Sequence, residues 1–261
     1  MATELIVQER RGSITWITLN RATEQNALTP AMIGALTSIF SLLKEDDAVR
    51  VIVLTGAGEE AFCRGWDWKE LRGLQSSQLR ALGEEGRAFT ELVENIGKPV
   101  IAAINGRAYG YGCELVLACH FRLATSNAEF AQSDILPELN SCCGSMQRLA
   151  RTIGRARALE MGLTGEASGA DEALQFGLIS KLTPDAISLQ LAATELAEKL
   201  ARNAPLAMKY AMTAVSQGSA LPLADALRLE SELFELSIAT DDLREGTQAF
   251  LEKRLPEFTG K

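Results

Sequence analysis

The sequence predicts an α/β chain in which strand–strand–helix units repeat and then give way to a run of helices. Three observations carry this. Apolar or alternating runs of strand length recur at 4–9, 13–19, 50–55 and 100–104. Stretches of helical periodicity follow them, at 31–43 and 78–96. From about residue 142 onward the pattern is mostly helical. Such an order points to a mixed sheet with helices packed on it. The 261 residues fit one large domain, or one domain with an appendage.

The elements follow in order. Residues 4–9 and 13–19 read as a hairpin around Arg11-Gly12. Thr29 is placed as an N-cap, with Pro30 at the first helical position, where its missing N–H costs nothing. Residues 50–55 form a buried strand. Gly73 to Ser77, small and polar, reads as a loop before the helix at 78–96. Pro99 opens the apolar strand Val100 to Ile104, and a glycine-bearing turn leads to a helix near Tyr111–Cys119. Strand-like pieces recur at 120–124 and 128–130. Helix caps are expected at Ser168 and near Asp185. Pro205 and Pro222 punctuate the last third, and Leu223 to Phe250 holds two amphipathic stretches. These either meet another subunit or fold back on the chain's own core.

Composition excludes several function classes. Hydrophobic residues make up 47% and charged residues 23%, which a disordered or fibrous chain would not show. The formal net charge of −8 argues against a nucleic-acid surface. The five cysteines (63, 113, 119, 142 and 143) match no zinc or redox spacing and sit largely in apolar runs, as reduced thiols do. No secretory leader and no apolar run of about 18 residues is read, so a soluble, cytoplasmic protein is expected. The single histidine, His120, follows an apolar run and reads as structural, which leaves no triad and no histidine-based metal site. Val51 to Gly58 is a strand with a Gly-x-Gly turn. It lacks the third glycine and the helix of a dinucleotide site and is read as a plain turn.

Two turns stand out. In Phe62 to Leu71 a strand ends, Gly65 permits a sharp turn, and a short helix begins near Asp67. In Asn105 to Leu115 a buried strand again ends in glycines and feeds a helix. Helix starts present outward N–H donors. Two of them facing one cavity would make a backbone oxyanion hole, in which each donor typically stabilises a transition state by about 2.7–4 kcal/mol. Glu114 falls in the first turn of the second helix, within apolar sequence. It is either a helix-start carboxylate favoured by the macrodipole or a carboxylate with a task.

These segments resemble the enoyl-CoA hydratase/isomerase, or crotonase, family over nearly the whole chain. The resemblance lies in Arg21 to Leu28, Val51 to Gly56, Ala61 to Leu71, Lys98 to Asn105, Gly110 to Cys119, Gln147-Arg148-Leu149, Leu163 to Glu166 and Phe250 to Gly260. It implies a crotonase-like spiral of ββα units over residues 1–200 and a C-terminal helical oligomerisation region over 201–261. It further implies an acyl-CoA substrate, homotrimers often paired as hexamers, no metal, no nucleic-acid or membrane partner, and no cofactor beyond the CoA of the substrate. The backbone N–H groups of Trp66 and Tyr111 would hold the thioester oxygen. Glu114 matches the first catalytic glutamate, and ungapped counting places the second acid at Asp134, with Glu138 as the alternative. Arg64, Gly65, Asp67, Trp68 and Gly110 would bind substrate. The helix carrying Arg148 would begin near Cys142 and face the site.

The chain also departs from the family pattern. Trp66 and Trp68 replace small or aliphatic residues, Arg64 replaces alanine, and Tyr109 and Tyr111 enter the glycine-rich turn. Leu136 to Gly144 replaces a Pro/Gly-lined stretch. The resemblance implies hydration of an α,β-unsaturated acyl-CoA. The departures are either drift at a loop, with aromatics packing on their neighbours, or a reshaped acyl pocket, which, with the aromatics pointing inward, suits a short, cyclic or aromatic acyl group rather than a long straight one. Arg64 would pair with an acyl carboxylate or a CoA phosphate. Isomerisation, hydrolysis of a cyclic β-keto-acyl-CoA and non-catalytic CoA-thioester binding are the alternatives. Cys142, where dienoyl-CoA isomerases place an acid, disfavours that subclass.

Overall fold

The computed structural model describes residues 4–135 and 143–261, with the backbone alone at residue 135. A hairpin opens the chain, β1 (Ile6–Arg11) and β2 (Ile14–Leu19), turned through Gly12 at φ +62°. Then come α1 (Pro30–Glu45), β3 (Val51–Gly56), β4 (Ala61–Cys63), α2 (Trp68–Leu71) and α3 (Ser76–Glu94). The next unit is β5 (Val100–Ile104), β6 (Arg107–Tyr109) and α4 (Tyr111–Ala118), followed by β7 (Phe121–Thr125) and β8 (Glu129–Ala131). After the segment outside the described residues come α5 (Ser145–Ile153), α6 (Arg155–Thr164), β9 (Ser168–Gly169), α7 (Ala170–Gln175), β10 (Lys181–Thr183) and α8 (Ala186–Ala201). Three helices end the chain: α9 (Pro205–Gly218), α10 (Leu223–Ile238) and α11 (Asp241–Glu252).

From β3 to β8 successive strands alternate between two sheets, which produces the spiral of ββα units. The larger sheet has the order β1-β2-β3-β5-β7-β10 and is parallel except for the opening hairpin. The smaller has the order β4-β6-β8-β9, with β9 antiparallel to β8. The central strands β3 and β5 of the larger sheet are apolar on both faces, as a covered parallel sheet requires, while the edge strand β1 is polar and mostly exposed. In β3, Ile52 and Leu54 face the main core, while Val51 and Val53 face a second core under Leu189, Ala192, Ala193 and Ala197 of α8. On the main-core side, α1 meets α3 through Phe40 and Phe89, edge to face at 5.3 Å. Burying each such ring is worth roughly 1.5–3 kcal/mol.

The caps explain several boundaries. The Thr29 side chain accepts from the Met32 N–H at 3.2 Å, and Pro30 opens α1 as expected. Asp185 accepts from the Ser188 N–H at 2.7 Å and starts α8. Ser168 is no cap: it lies in β9, and Gly169 takes the N-cap of α7. Helix α3 begins before residue 78 because the Gln78 Oε1 accepts from the Gln75 N–H at 2.8 Å. His120 is structural: its Nδ1 accepts from the Val100 N–H, its Nε2 meets the Glu94 carbonyl, and burial holds its pKa low. The tail folds back, with Asp242 accepting from the Thr259 and Gly260 amides at 2.7 and 2.9 Å. Arg50 of the core donates to the Phe258 carbonyl. Yet α10 has no buried residue, and Leu223, Leu227 and Phe234 stand exposed on it.

Candidate active site

The two glycine-bearing turns leave the same end of the smaller sheet, because β4 and β6 are parallel neighbours with Cys63 opposite Ala108. Gly65 adopts φ +94° and Gly110 φ +49°. A β-carbon on Gly65 would lie 2.8 Å from the Tyr109 carbonyl oxygen and 3.2 Å from the Tyr111 nitrogen. One on Gly112 would lie 2.1 Å from the Cys63 carbonyl oxygen. The turns therefore touch at backbone level, an approach that only glycine permits.

The amides at the junction are oriented by what surrounds them. Leu28 bridges Trp66 in parallel fashion: the Leu28 N–H donates to the Gly65 carbonyl, and the Asp67 N–H donates to the Leu28 carbonyl. That pattern engages the neighbours of Trp66 and turns the Trp66 N–H away from Leu28. Tyr111 is the first residue of α4, where N–H groups point out along the helix axis. Arg21 clamps the first turn from behind. Its Nη2 pairs with Asp67 at 3.0 Å, and its Nη1 donates to the Ala27 carbonyl. Burial works to raise the Asp67 pKa, but hydrogen bonds from Arg21 and the Lys69 amide outweigh it and hold the carboxyl below its usual value. Asp67 thus caps α2 and anchors the turn.

Two carboxylic acids lie behind these amides. Glu114, in the first turn of α4, is buried. Asp134 follows β8 in a single helical turn and is 6% exposed. Its Oδ1 would stand 2.4 Å from a β-carbon on Gly110, so it packs directly on the second turn. Burial pushes the Asp134 pKa up to about 6. The Cys113 thiol registers both acids: burial first, then the negative charge of Glu114 and of Asp134, push it to about 12. Cys63 reaches about 12 in the same way, by burial and then the field of Asp134. Both acids thus bear on Cys113, and Asp134 on Cys63, thiols that burial keeps protonated. Glu138 and Cys142 lie outside the described residues.

The aromatic substitutions divide into two groups. Trp66 and Tyr111 turn inward and stack on each other, with ring centroids 4.4 Å apart at 36°. The Tyr111 hydroxyl donates to the Gly86 carbonyl of α3 at 2.8 Å. Arg64 is exposed, and Trp68 is half-buried with one side packed on the main core. They line both a cleft of about 220 Å³, shared with Gln25, Trp66 and Lys69, and a cleft of about 490 Å³, shared with Tyr109 and Ser133. Tyr109 is accounted for locally, since its hydroxyl donates to Glu129, which also pairs with Arg107.

Several residues that build this site carry no individual role in the sequence reading. Asn26 donates to the Ala57 and Ala61 carbonyls, and Asn105 donates to the Gly58 and Ala61 carbonyls while accepting from the Gly56 N–H. Together they fix the Gly-x-Gly turn, which is a plain turn. Buried Gln132 accepts from the Ser145 hydroxyl at 3.0 Å, linking β8 to α5. Arg148 ties α5 to α3 through Glu94 at 2.8 Å and to the Cys143 carbonyl. Helix α5 begins at Ser145. For Asn105, an asparagine closing an apolar strand was the available signal, because a buried amide must find partners. Among the described residues no group of three or more His, Cys, Asp or Glu is disposed to hold a metal, and no helix is long and apolar enough to cross a membrane.

Comparison with known proteins gives the family and the fold. The family model for enoyl-CoA hydratase/isomerase matches residues 9–261. The short-chain-enoyl-CoA hydratase of Clostridium acetobutylicum is 34% identical over 95% of this chain and 95% of its own. The 2,3-dehydroadipyl-CoA hydratase of Escherichia coli is 36% identical over 99% of both chains. The crystal structure of an enoyl-CoA hydratase from Bacillus anthracis superposes with a TM-score of 0.95 at 39% identity, covering 99% of this chain and 100% of that one. The chain belongs to the enoyl-CoA hydratase/isomerase family.

Proposed function

We propose that this protein adds water across the double bond of an α,β-unsaturated acyl-CoA, and that it also catalyses the reverse dehydration. The observation that carries the proposal is the contact of the two turns, with Asp134 packed on Gly110 and Glu114 one helical turn inside. The Trp66 and Tyr111 N–H groups grip the thioester oxygen as it gains enolate charge. Glu114 takes a proton from water as the water oxygen bonds to Cβ. Asp134 delivers a proton to Cα, and the enolate electrons return to form that bond. An acid with a pKa near 6 keeps a usable protonated fraction close to neutrality, which is why the donor role falls to Asp134. CoA arrives with the substrate, and its polar arm lies in the outward clefts beside Arg64 and Trp68. No further cofactor takes part.

The exposed apolar face of α10 supports assembly through residues 201–261, as a trimer or a dimer of trimers. The buried thiols of Cys63, Cys113 and Cys119 support residence in the reducing cytoplasm. The deciding experiment follows the loss of enoyl absorbance for crotonyl-CoA with wild type and Glu114→Gln. Wild type should hydrate it, and the variant should lose roughly 10²–10⁴ in rate while still binding the thioester. Equal binding with no turnover by either protein would make the chain a CoA-thioester binder. Turnover of a cyclic β-keto-acyl-CoA alone would make it a hydrolase.

A further inference from the structure

We propose that the Trp66 and Tyr111 side chains, seated on Gly86 of α3, form the wall that ends the acyl pocket and restricts it to short acyl groups. This rests on the acyl-CoA reading of the site and deepens it.

Both residues have two functions on opposite sides of one backbone. Their amides face the junction of the turns, and their rings fill the space between that junction and α3. Tyr111 is fully buried and Trp66 is 4% exposed. A β-carbon on Gly86 would stand 3.0 Å from Tyr111 Cε2, 3.0 Å from Cys143 Sγ and 3.1 Å from Trp66 Cζ2. The rings are thus pressed against bare helix backbone, and the Tyr111 hydroxyl is fastened to the Gly86 carbonyl. A glycine inside a helix costs about 0.8–1.0 kcal/mol against alanine, so its place here is explained by the rings that need its space.

The outward clefts beside Arg64 and Trp68 are open to solvent and suit the charged CoA arm. An acyl tail leaving the gripped carbonyl must run the other way, inward, where the stacked rings stand. Because both are buried, Tyr111 fully and Trp66 all but 4%, they offer no open face to a substrate ring. Of the short, cyclic and aromatic groups expected from the sequence, the geometry favours the short.

The test uses saturated acyl-CoAs, which cannot react, so it reads the pocket without relying on catalysis. Isothermal calorimetry measures butyryl-CoA and dodecanoyl-CoA with the full-length protein as wild type, Trp66→Ala and Trp66→Leu. Wild type should bind dodecanoyl-CoA no more tightly than butyryl-CoA. A pocket that accepted the chain would gain about fourfold for each further buried methylene. In the variants the preference should move toward dodecanoyl-CoA by about tenfold or more. Trp66→Leu keeps a branched apolar side chain and carries the test if Trp66→Ala does not fold.

Wild type that already gains with chain length, or a folded variant with an unchanged ratio, overturns the wall. If wild type binds with the predicted preference but hydrates no enoyl-CoA, the wall stands and the hydratase reading falls. If no acyl-CoA binds at all, both fall.

Discussion

Replacing Asp134 by asparagine should make the protein more stable at neutral pH while impairing it as a catalyst. Burial moves the Asp134 pKa from 3.8 to about 6, a raised folded-state value. A carboxyl of this kind favours the folded state fully only below its unfolded pKa, and that contribution is lost as pH rises through about 6. At about 1.4 kcal/mol per pH unit across that interval, the loss comes to about 3 kcal/mol by pH 7. Asparagine has nearly the same shape and no charge to desolvate. Urea unfolding at fixed protein concentration, from pH 4 to pH 8, should give nearly equal stabilities at pH 4. Above pH 7 the asparagine variant should be the more stable by about 3 kcal/mol. Hydration by the variant should fall by roughly 10²–10⁴. A stability difference that stays flat with pH would refute the account, because Asp134 would then be solvated and ordinary.

Two further outcomes follow from the same geometry. Gly110→Ala places a methyl 2.4 Å from Asp134 Oδ1 at φ +49°, so thermal denaturation should show a loss of about 1–3 kcal/mol, with activity falling as the second turn moves. Leu227→Glu with Phe234→Glu puts charge on the exposed face of α10, and sedimentation should show smaller assemblies while far-UV circular dichroism stays unchanged.

Local chemistry made parts of the fold legible in the sequence. Thr29-Pro30 and Asp185 announce helix starts because an oxygen acceptor before an apolar-periodic run satisfies orphan amides. Gly12 announces the hairpin turn because a positive φ there suits glycine. Strands β9 and β10 escaped because two or three residues carry no period, and their pairing partners lie about 40 to 60 positions earlier in the chain. At the site, the sequence motifs marked Gly65, Gly110 and Glu114. The burial that raises the Asp134 pKa was not legible, since it sits in the polar run Gln132-Ser133-Asp134 and is enclosed only by tertiary packing. The inward stacking of Trp66 and Tyr111 was equally hidden, although a glycine in the interior of α3 was a hint that something presses on that helix.

The central claim is that two backbone amides from different turns grip one thioester oxygen. A crystal structure with bound butyryl-CoA tests it most directly. The carbonyl oxygen should lie within about 3.2 Å of both the Trp66 and Tyr111 nitrogens, with the Glu114 and Asp134 carboxyls flanking Cα and Cβ. A carbonyl resting elsewhere, touched by neither amide, would contradict the account.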